Sequence, residues 1–284
     1  MIINHNLPGQ NAINSLNANA KSAQNSMAKL SSGSRINKAA DDAAGLSISQ
    51  KMQAQINGLD KASSNAQDGI SLLQTAEGGL NETQSILQRM SELATQAAND
   101  TNVTADRKAI TSELGTLADE IDHIANSTNF NGTNLLSSTS TLSFQIGATA
   151  NAYDQITVGL TNVSIGASVL SVKLGAGGTA GTEASICVAD AQHAHAAISV
   201  INAAIQQVSS ARSSIGAYQN RLDHTINNLT TESQNLTTAM SGITDVDMAK
   251  EMMNYSKENV LQQAAQSMLA QANQNPQQIL KLLQ

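Results

Sequence analysis

The feature that most constrains this chain is an apolar residue that returns every seven positions: Ile201, Val208, Ile215, Leu222, Leu229, Leu236 and Ile243. A second row, Ile198, Ile205, Arg212, Gln219, Ile226, Ser233 and Met240, runs beside it. Alternating steps of three and four put both rows on one side of an α-helix, and heptads sustained this long predict coiled-coil-like packing. A helix of about 45 residues is on the order of 70 Å long and cannot cover such a stripe by itself.

A partner is legible earlier in the chain. After Asp42, the residues Met52, Ile56, Leu59, Ser63, Ala66, Ile70 and Leu73 keep the same steps, and Leu80 and Leu87 extend one row. Gly78-Gly79 weakens this helix without ending it, and Asn99-Asp100-Thr101-Asn102 reads as a turn. The helix over 42–98 matches the one over 184–243 in length and stripe, so the two are expected to pair. A shorter helix carries Ile110, Leu114, Leu117, Ile121 and Ile124 on one side and should stop near Asn126–Gly132.

Pairing the long helices brings the chain ends together. One end, residues 1–31, shows Ile13, Leu16, Ala20, Ala23, Met27 and Leu30 at helical spacing, followed by a hinge at Ser31-Ser32-Gly33-Ser34. The other, 247–284, is amphipathic to about Ala272, where Pro276 is expected to interrupt it before Ile279-Leu280-Lys281-Leu282-Leu283. A two-helix pair made mostly of Ala, Met, Leu and Gln buries too little to be stable alone. These ends are expected to be loose in the monomer and to fold when other copies surround them.

The middle changes period. Leu142, Phe144 and Ile146 alternate with Thr141, Ser143 and Gln145; Ile156, Val158 and Leu160 alternate likewise; Val169–Leu174 is a third stretch. Period two reads as short strands, closed by a glycine-rich loop at Gly175–Gly181. The expected fold is mainly α: a long antiparallel coiled-coil-like helix bundle with a small β-hairpin region at about 137–182. Residues 1–41 with 244–284 form the terminal helices, and 42–243 form a helical domain.

Composition agrees. Apolar residues are 40% of the chain, yet there are only two Phe, three Tyr and no Trp. Thick cores use large side chains, whereas Ala lets helix backbones approach closely. The net charge of −7 is uneven, because residues 1–40 hold Lys21, Lys29, Arg35 and Lys38 and no acid. No basic patch with interleaved aromatics occurs, which argues against nucleic-acid binding. The start lacks the apolar core of a secretory signal; its acid-free, Ser-rich pattern fits a transit peptide less well than a mature helix. No apolar run reaches the roughly 18 residues of a membrane span. Cys187 stands alone and reads as a small apolar filler.

Catalytic or metal chemistry is not indicated. Asp119 and His123 are four apart beside Glu120 and Asp122, but nothing completes a coordination shell. His193 and His195 would face different directions on a helix. No HExxH, GxSxG, P-loop or CxxC motif is present. Several Asn-x-Ser/Thr triplets occur, such as Asn81-Glu82-Thr83 and Asn228-Leu229-Thr230, but they are weak signals in a chain so rich in these residues. No catalytic residue, cofactor or metal is expected.

Longer motifs are specific. Ser31-Ser32-Gly33-Ser34-Arg35-Ile36-Asn37 followed by Asp41-Asp42-Ala43-Ala44-Gly45-Leu46-Ser47-Ile48-Ser49 resembles the N-terminal hallmark of bacterial flagellins. So do Phe130-Asn131-Gly132 and Phe144-Gln145-Ile146-Gly147-Ala148, and at the other end residues 219–229, 245–252 and 269–274. The resemblance covers about 1–150 and 183–284. It implies a subunit that polymerises with itself into the extracellular flagellar filament and serves motility, its terminal helices forming an inner tube and its long helices the surrounding shell.

The same resemblance implies type III export, a chaperone at the C-terminal helix (about Ala249–Gln284), and contacts with filament cap and hook-junction proteins. Residues 137–182 are too few for a large outer domain, although their Ser and Thr could carry O-glycans. Self-assembly is expected at Ile13, Leu16, Met27, Leu30, Arg35, Asp41, Asp42, Met248, Met252, Val260, Leu261, Met268 and Leu269. An innate immune receptor motif is matched at Gln88, Arg89, Glu92, Leu93 and Glu113, with Arg89 and Leu93 sharing a face. The sequence departs from the family at Ser34, where Leu is common, and at Gly242-Ile243-Thr244-Asp245, where two Arg are usual; some inter-subunit charge pairs are thereby lost. A hook–filament junction protein shares the end motifs and is the second structural reading. An enzyme embedded in a filament is the rival class, disfavoured by the lack of a catalytic motif.

Overall fold

The computed structural model describes residues 6–137, 141–159, 165, 188 and 190–282, with side chains at all of these except 191 and 275–282. The described residues form helices α1 (Leu7–Ser32), α2 (Ala43–Ala97), α3 (Thr104–Ser127), α4 (Ala191–Thr244) and α5 (Met248–Leu282). Strands β1 (Asn129–Phe130), β2 (Thr133–Asn134), β3 (Thr141–Gln145) and β4 (Gln155–Gly159) lie between α3 and α4. The third candidate strand at Val169–Leu174, the Gly175–Gly181 loop and Cys187 fall outside the described residues. The chain divides into two compact units, Met1–Ile56 with Gln234–Gln284, and Asn57–Ser233, so the division falls inside α2 and α4.

In the Asn57–Ser233 unit, α2 and α4 are antiparallel. Arg212 donates to the Gln84 side chain at 2.6 Å, Gln219 to Glu77 at 3.2 Å, and Ser233 to Asp60 at 3.0 Å. As the position on α4 rises, the partner on α2 falls. The polar members of the second heptad row are thus the residues that fix this register, as polar seam positions do in coiled coils. The first row is buried from Ile201 to Leu229, and from Ile201 to Leu222 it packs in one core with Leu73, Leu80 and Leu87 of α2.

The second buried row differs from the expected one. Ala197, Ala204 and Ala211 are buried, while Ile198, Ile205, Arg212 and Gln219 are half-covered. The small side chains of this row are the ones fully covered, and the larger ones flank them. Helix α3 adds Ile110, Leu114 and Ile121 to the core, with Leu117 and Ile124 packed at its edge. Arg107 closes the α2–α3 turn by donating to the carbonyl of Ala97, the last residue of α2, and to that of Asn99 in the turn.

Two antiparallel hairpins follow. β1 and β2 join through Asn131 and Gly132, both at positive φ, the primed-turn geometry that Asn-Gly favours. β3 and β4 pair Leu142 with Val158 and Phe144 with Ile156, so the alternating apolar residues share one face. α2 continues through Gly78-Gly79 for a packing reason. A Cβ on Gly79 would lie 2.6 Å from Leu136 Cδ1 and 2.9 Å from Thr128 Oγ1.

In the other unit, α1 and α5 lie side by side. They are antiparallel, since Asn6 of the α1 cap meets Ala272 near the end of α5, while Ser26 meets Glu251 near its start. The expected interruption at Pro276 does not occur: α5 runs on to Leu282. Proline lacks the N–H that would serve the carbonyl four residues back. That carbonyl, Ala272 O, accepts instead from Asn6 Nδ2 at 3.0 Å.

Candidate assembly interface

Local hydrogen bonding explains the polar run after α1. Gly33 caps α1 in the left-handed conformation, its N–H donating to Lys29 O. Gly33 O then accepts from Val246 N, and Thr244 O from Arg35 N, making an antiparallel bridge of Ser34 with Asp245. Arg35 adds a guanidinium donor to Ile243 O at 2.6 Å. Residues 33–35 and 243–246 therefore meet at one place.

Asp41 accepts from the Lys38 and Asn37 N–H groups at 2.9 and 3.1 Å, and these bonds, Lys38 first, hold its carboxyl below the ordinary range. Asp42 Oδ1 accepts from Gly45 N at 2.9 Å and so starts α2. Arg35, Asp41 and Asp42 thus have structural partners inside the unit. Asp247 caps α5 through Ala249 and Lys250.

The α1–α5 seam is built from small or half-buried residues. On α1 one run of covered positions is Gly9, Ala12, Leu16, Asn19, Ala23, Ser26 and Leu30, with Ala20 and Lys29 half-covered beside it; on α5 the run is Glu251, Tyr255, Glu258, Gln262, Ala265, Leu269 and Ala272, with Asn259 half-covered beside it. Both follow alternating steps of three and four. Ser26 donates to the Glu251 carboxylate, and this bond is the main reason that the Glu251 pKa is lowered.

Ile13 and Met27, expected within the α1 stripe, are exposed, and so are Met248, Met252, Val260, Leu261 and Met268; Leu16, Leu30 and Leu269 are half-covered. The structure adds Leu7, Ile48 and Met253 to this exposed set. Among the described residues, large exposed apolar side chains outside this unit are Val103 and Tyr153. On α5 these residues occupy several faces, a distribution that suits a helix surrounded by others.

The receptor motif is divided by the fold. Arg89 donates to Glu113 at 3.0 Å and to Glu92 at 3.3 Å, and these bonds, Glu113 first, raise its pKa. Gln88 is exposed beside it, but Leu93 is only 3% exposed and belongs to the core. Arg89 and Leu93 therefore do not share an exposed face. No group of metal ligands occurs among the described residues; His123 pairs with Glu120 at 3.6 Å. Among the described residues no helix is long and apolar enough to cross a membrane.

Long paired helices whose terminal pair carries large exposed apolar side chains are the construction of a helical structural protein. Residues 3–141 match the bacterial flagellin N-terminal helical region, and residues 198–283 the bacterial flagellin C-terminal helical region. The chain is 50% identical over 284 residues to a flagellin of Halalkalibacterium halodurans, covering 100% of both chains. It is 49% identical over 307 residues to a flagellin of Bacillus subtilis, again covering 100% of both. A putative flagellar hook-associated protein from Vibrio parahaemolyticus shares the fold, with a TM-score of 0.55 and 14% identity over 72% of this chain and 100% of that one. The chain belongs to the bacterial flagellins, the structural proteins that form the flagellar filament.

Proposed function

We propose that this chain assembles through its terminal helices, residues 1–41 and 244–284, which form the inner tube of the filament. Residues 42–243 form the shell, with the hairpin region outward and no large outer domain. The observation that carries this reading is the placement of the large exposed apolar residues, nearly all in the unit that holds α1 and α5. Burying apolar surface contributes about 25 cal/mol per Å². Ile13, Met27, Met248, Met252, Val260, Leu261 and Met268 gain it only when other subunits cover them. Leu16, Leu30 and Leu269 line the pair, and Arg35, Asp41 and Asp42 shape the turn that orients it.

On this reading the ends are loose until neighbours order them, and the chain is not an enzyme. It is secreted unfolded through the flagellar export channel, held by a chaperone over about Ala249–Gln284, and meets cap and hook-junction proteins at the filament ends. The test is electron microscopy of purified protein after a salting-out seed. Long tubes are expected from the full chain and none from chains lacking 1–33 or 248–284. Tubes from a truncated chain would remove the terminal helices from assembly.

A second role as an innate-receptor ligand rests on the exposed Gln88, Arg89, Glu92 and Glu113, with Arg89 held between two carboxylates. Purified monomer on reporter cells, with Arg89→Ala as the control, tests it; silence of the unmodified monomer ends it.

A further inference from the structure

We propose that the exposed methionines of the α1–α5 unit are a modification site through which a hydroperoxide blocks assembly. The inference rests on the assembly reading above. The chain has nine methionines. Met27, Met248, Met252, Met253 and Met268 are each about half exposed or more, whereas Met90 is fully buried in the other unit. Every strongly exposed methionine among the described residues thus sits on α1 or α5.

Their arrangement is not scattered. Met248 and Met252 are four apart, on one face of α5. The Ser26–Glu251 hydrogen bond sets Met27 and Met252, the next residue on each helix, at one level of the pair. Leu would bury comparable apolar area and has similar helix propensity. What Met adds is a flexible, polarisable thioether that adapts to a neighbour, and with it a sulfur that can be oxidised.

The step is balanced. A sulfur lone pair of the thioether attacks one peroxide oxygen and the O–O bond breaks. The sulfur is oxidised by two electrons to the sulfoxide, and after proton transfer the other oxygen leaves as water from hydrogen peroxide or as an alcohol from an organic hydroperoxide. The product is a strong hydrogen-bond acceptor where the assembly face must be dry. Burying it without a donor is unfavourable. Once the subunit is in the polymer the sulfurs are covered, so the free monomer is the vulnerable species.

The test uses the full chain and hydrogen peroxide. Monomer is treated, the oxidised sites are mapped by mass spectrometry, and the critical concentration for seeded polymerisation is measured. The expected result is sulfoxide at the five positions before Met90, and a critical concentration raised at least about tenfold, the effect of about 1.4 kcal/mol. In a chain with all five changed to Leu, the critical concentration, whatever its untreated value, should be the same before and after peroxide.

Equal polymerisation of oxidised and untreated protein overturns the proposal, as does peroxide sensitivity of the five-Leu chain or oxidation of Met90 at the same rate. A chain with the five changed to Gln separates this from the parent reading. If that chain polymerises normally, the faces are not assembly surfaces; if it fails while peroxide-treated protein polymerises, only the redox inference is lost.

Discussion

The side-chain amide of Asn6 donates to Ala272 O at 3.0 Å, filling the place of the backbone N–H that Pro276 lacks. Asn6 Oδ1 meanwhile accepts from Gly9 N at 3.0 Å and caps α1. One residue thereby starts the first helix and sustains the last.

Asn6→Ser should keep the cap, since Ser is an equally good N-cap, but leave the Ala272 carbonyl unpartnered. The expected cost is about 1 kcal/mol, read as faster hydrogen exchange in α5 near 272. Pro276→Ala restores the backbone donor, so the double variant should exchange like Pro276→Ala alone. Additive effects would show that the amide does not serve this carbonyl.

The α2–α4 seam separates stability from register. Leu222 is fully buried, and Leu222→Ala should cost about 2–5 kcal/mol in denaturant unfolding. Arg212 and Glu77, 3.8 Å apart, are 32% and 40% exposed. Arg212→Ala should therefore cost no more than about 1 kcal/mol, because solvent screens such a pair. A larger loss at Arg212 than at Leu222 would refute this division.

Adjacent glycines should respond with opposite signs. Gly78 has open space where a Cβ would stand, so Gly78→Ala should gain up to about 1 kcal/mol from helix propensity. Gly79→Ala drives a methyl against Leu136 and against Thr128, whose hydroxyl is bonded to Ile124 O at 2.7 Å. Overpacking costs about 1–3 kcal/mol, so a net loss is expected. Thermal unfolding of the two variants reads both signs.

Acid should loosen the α1–α5 pair. Glu251 has its pKa lowered in the folded chain, chiefly by the Ser26 hydroxyl. A depressed carboxyl pKa stabilises the fold above its unfolded value, and the contribution fades as pH falls through the folded pKa. The loss therefore lies below the ordinary glutamate value of 4.5. Ser26→Ala should flatten the response of α1–α5 exchange over that range, and an unchanged response would assign the acid sensitivity to other groups.

The sequence by itself determined the helices, their approximate ends and the pairing of the long ones, because these follow from heptad spacing over many turns, and local errors average out. Its end motifs also carried the family. Three features were decided only by tertiary structure. Which of two adjacent rows faces inward was one: on α4 the Ala197, Ala204 and Ala211 row is buried in place of Ile198 and Ile205, and on α1 Ser26 faces in while Met27 faces out. Hydropathy ranks the larger side chain as the core residue, whereas at these positions the helix packing covers the smaller one. The burial of Leu93, which splits the receptor motif, was another. It arises because i and i+4 lie near each other without lying at the same depth. The third was the continuity of α5 through Pro276. A sequence scan sees the missing donor at once, but the amide that replaces it comes from Asn6, at the far end of the chain, and only folding brings the two together.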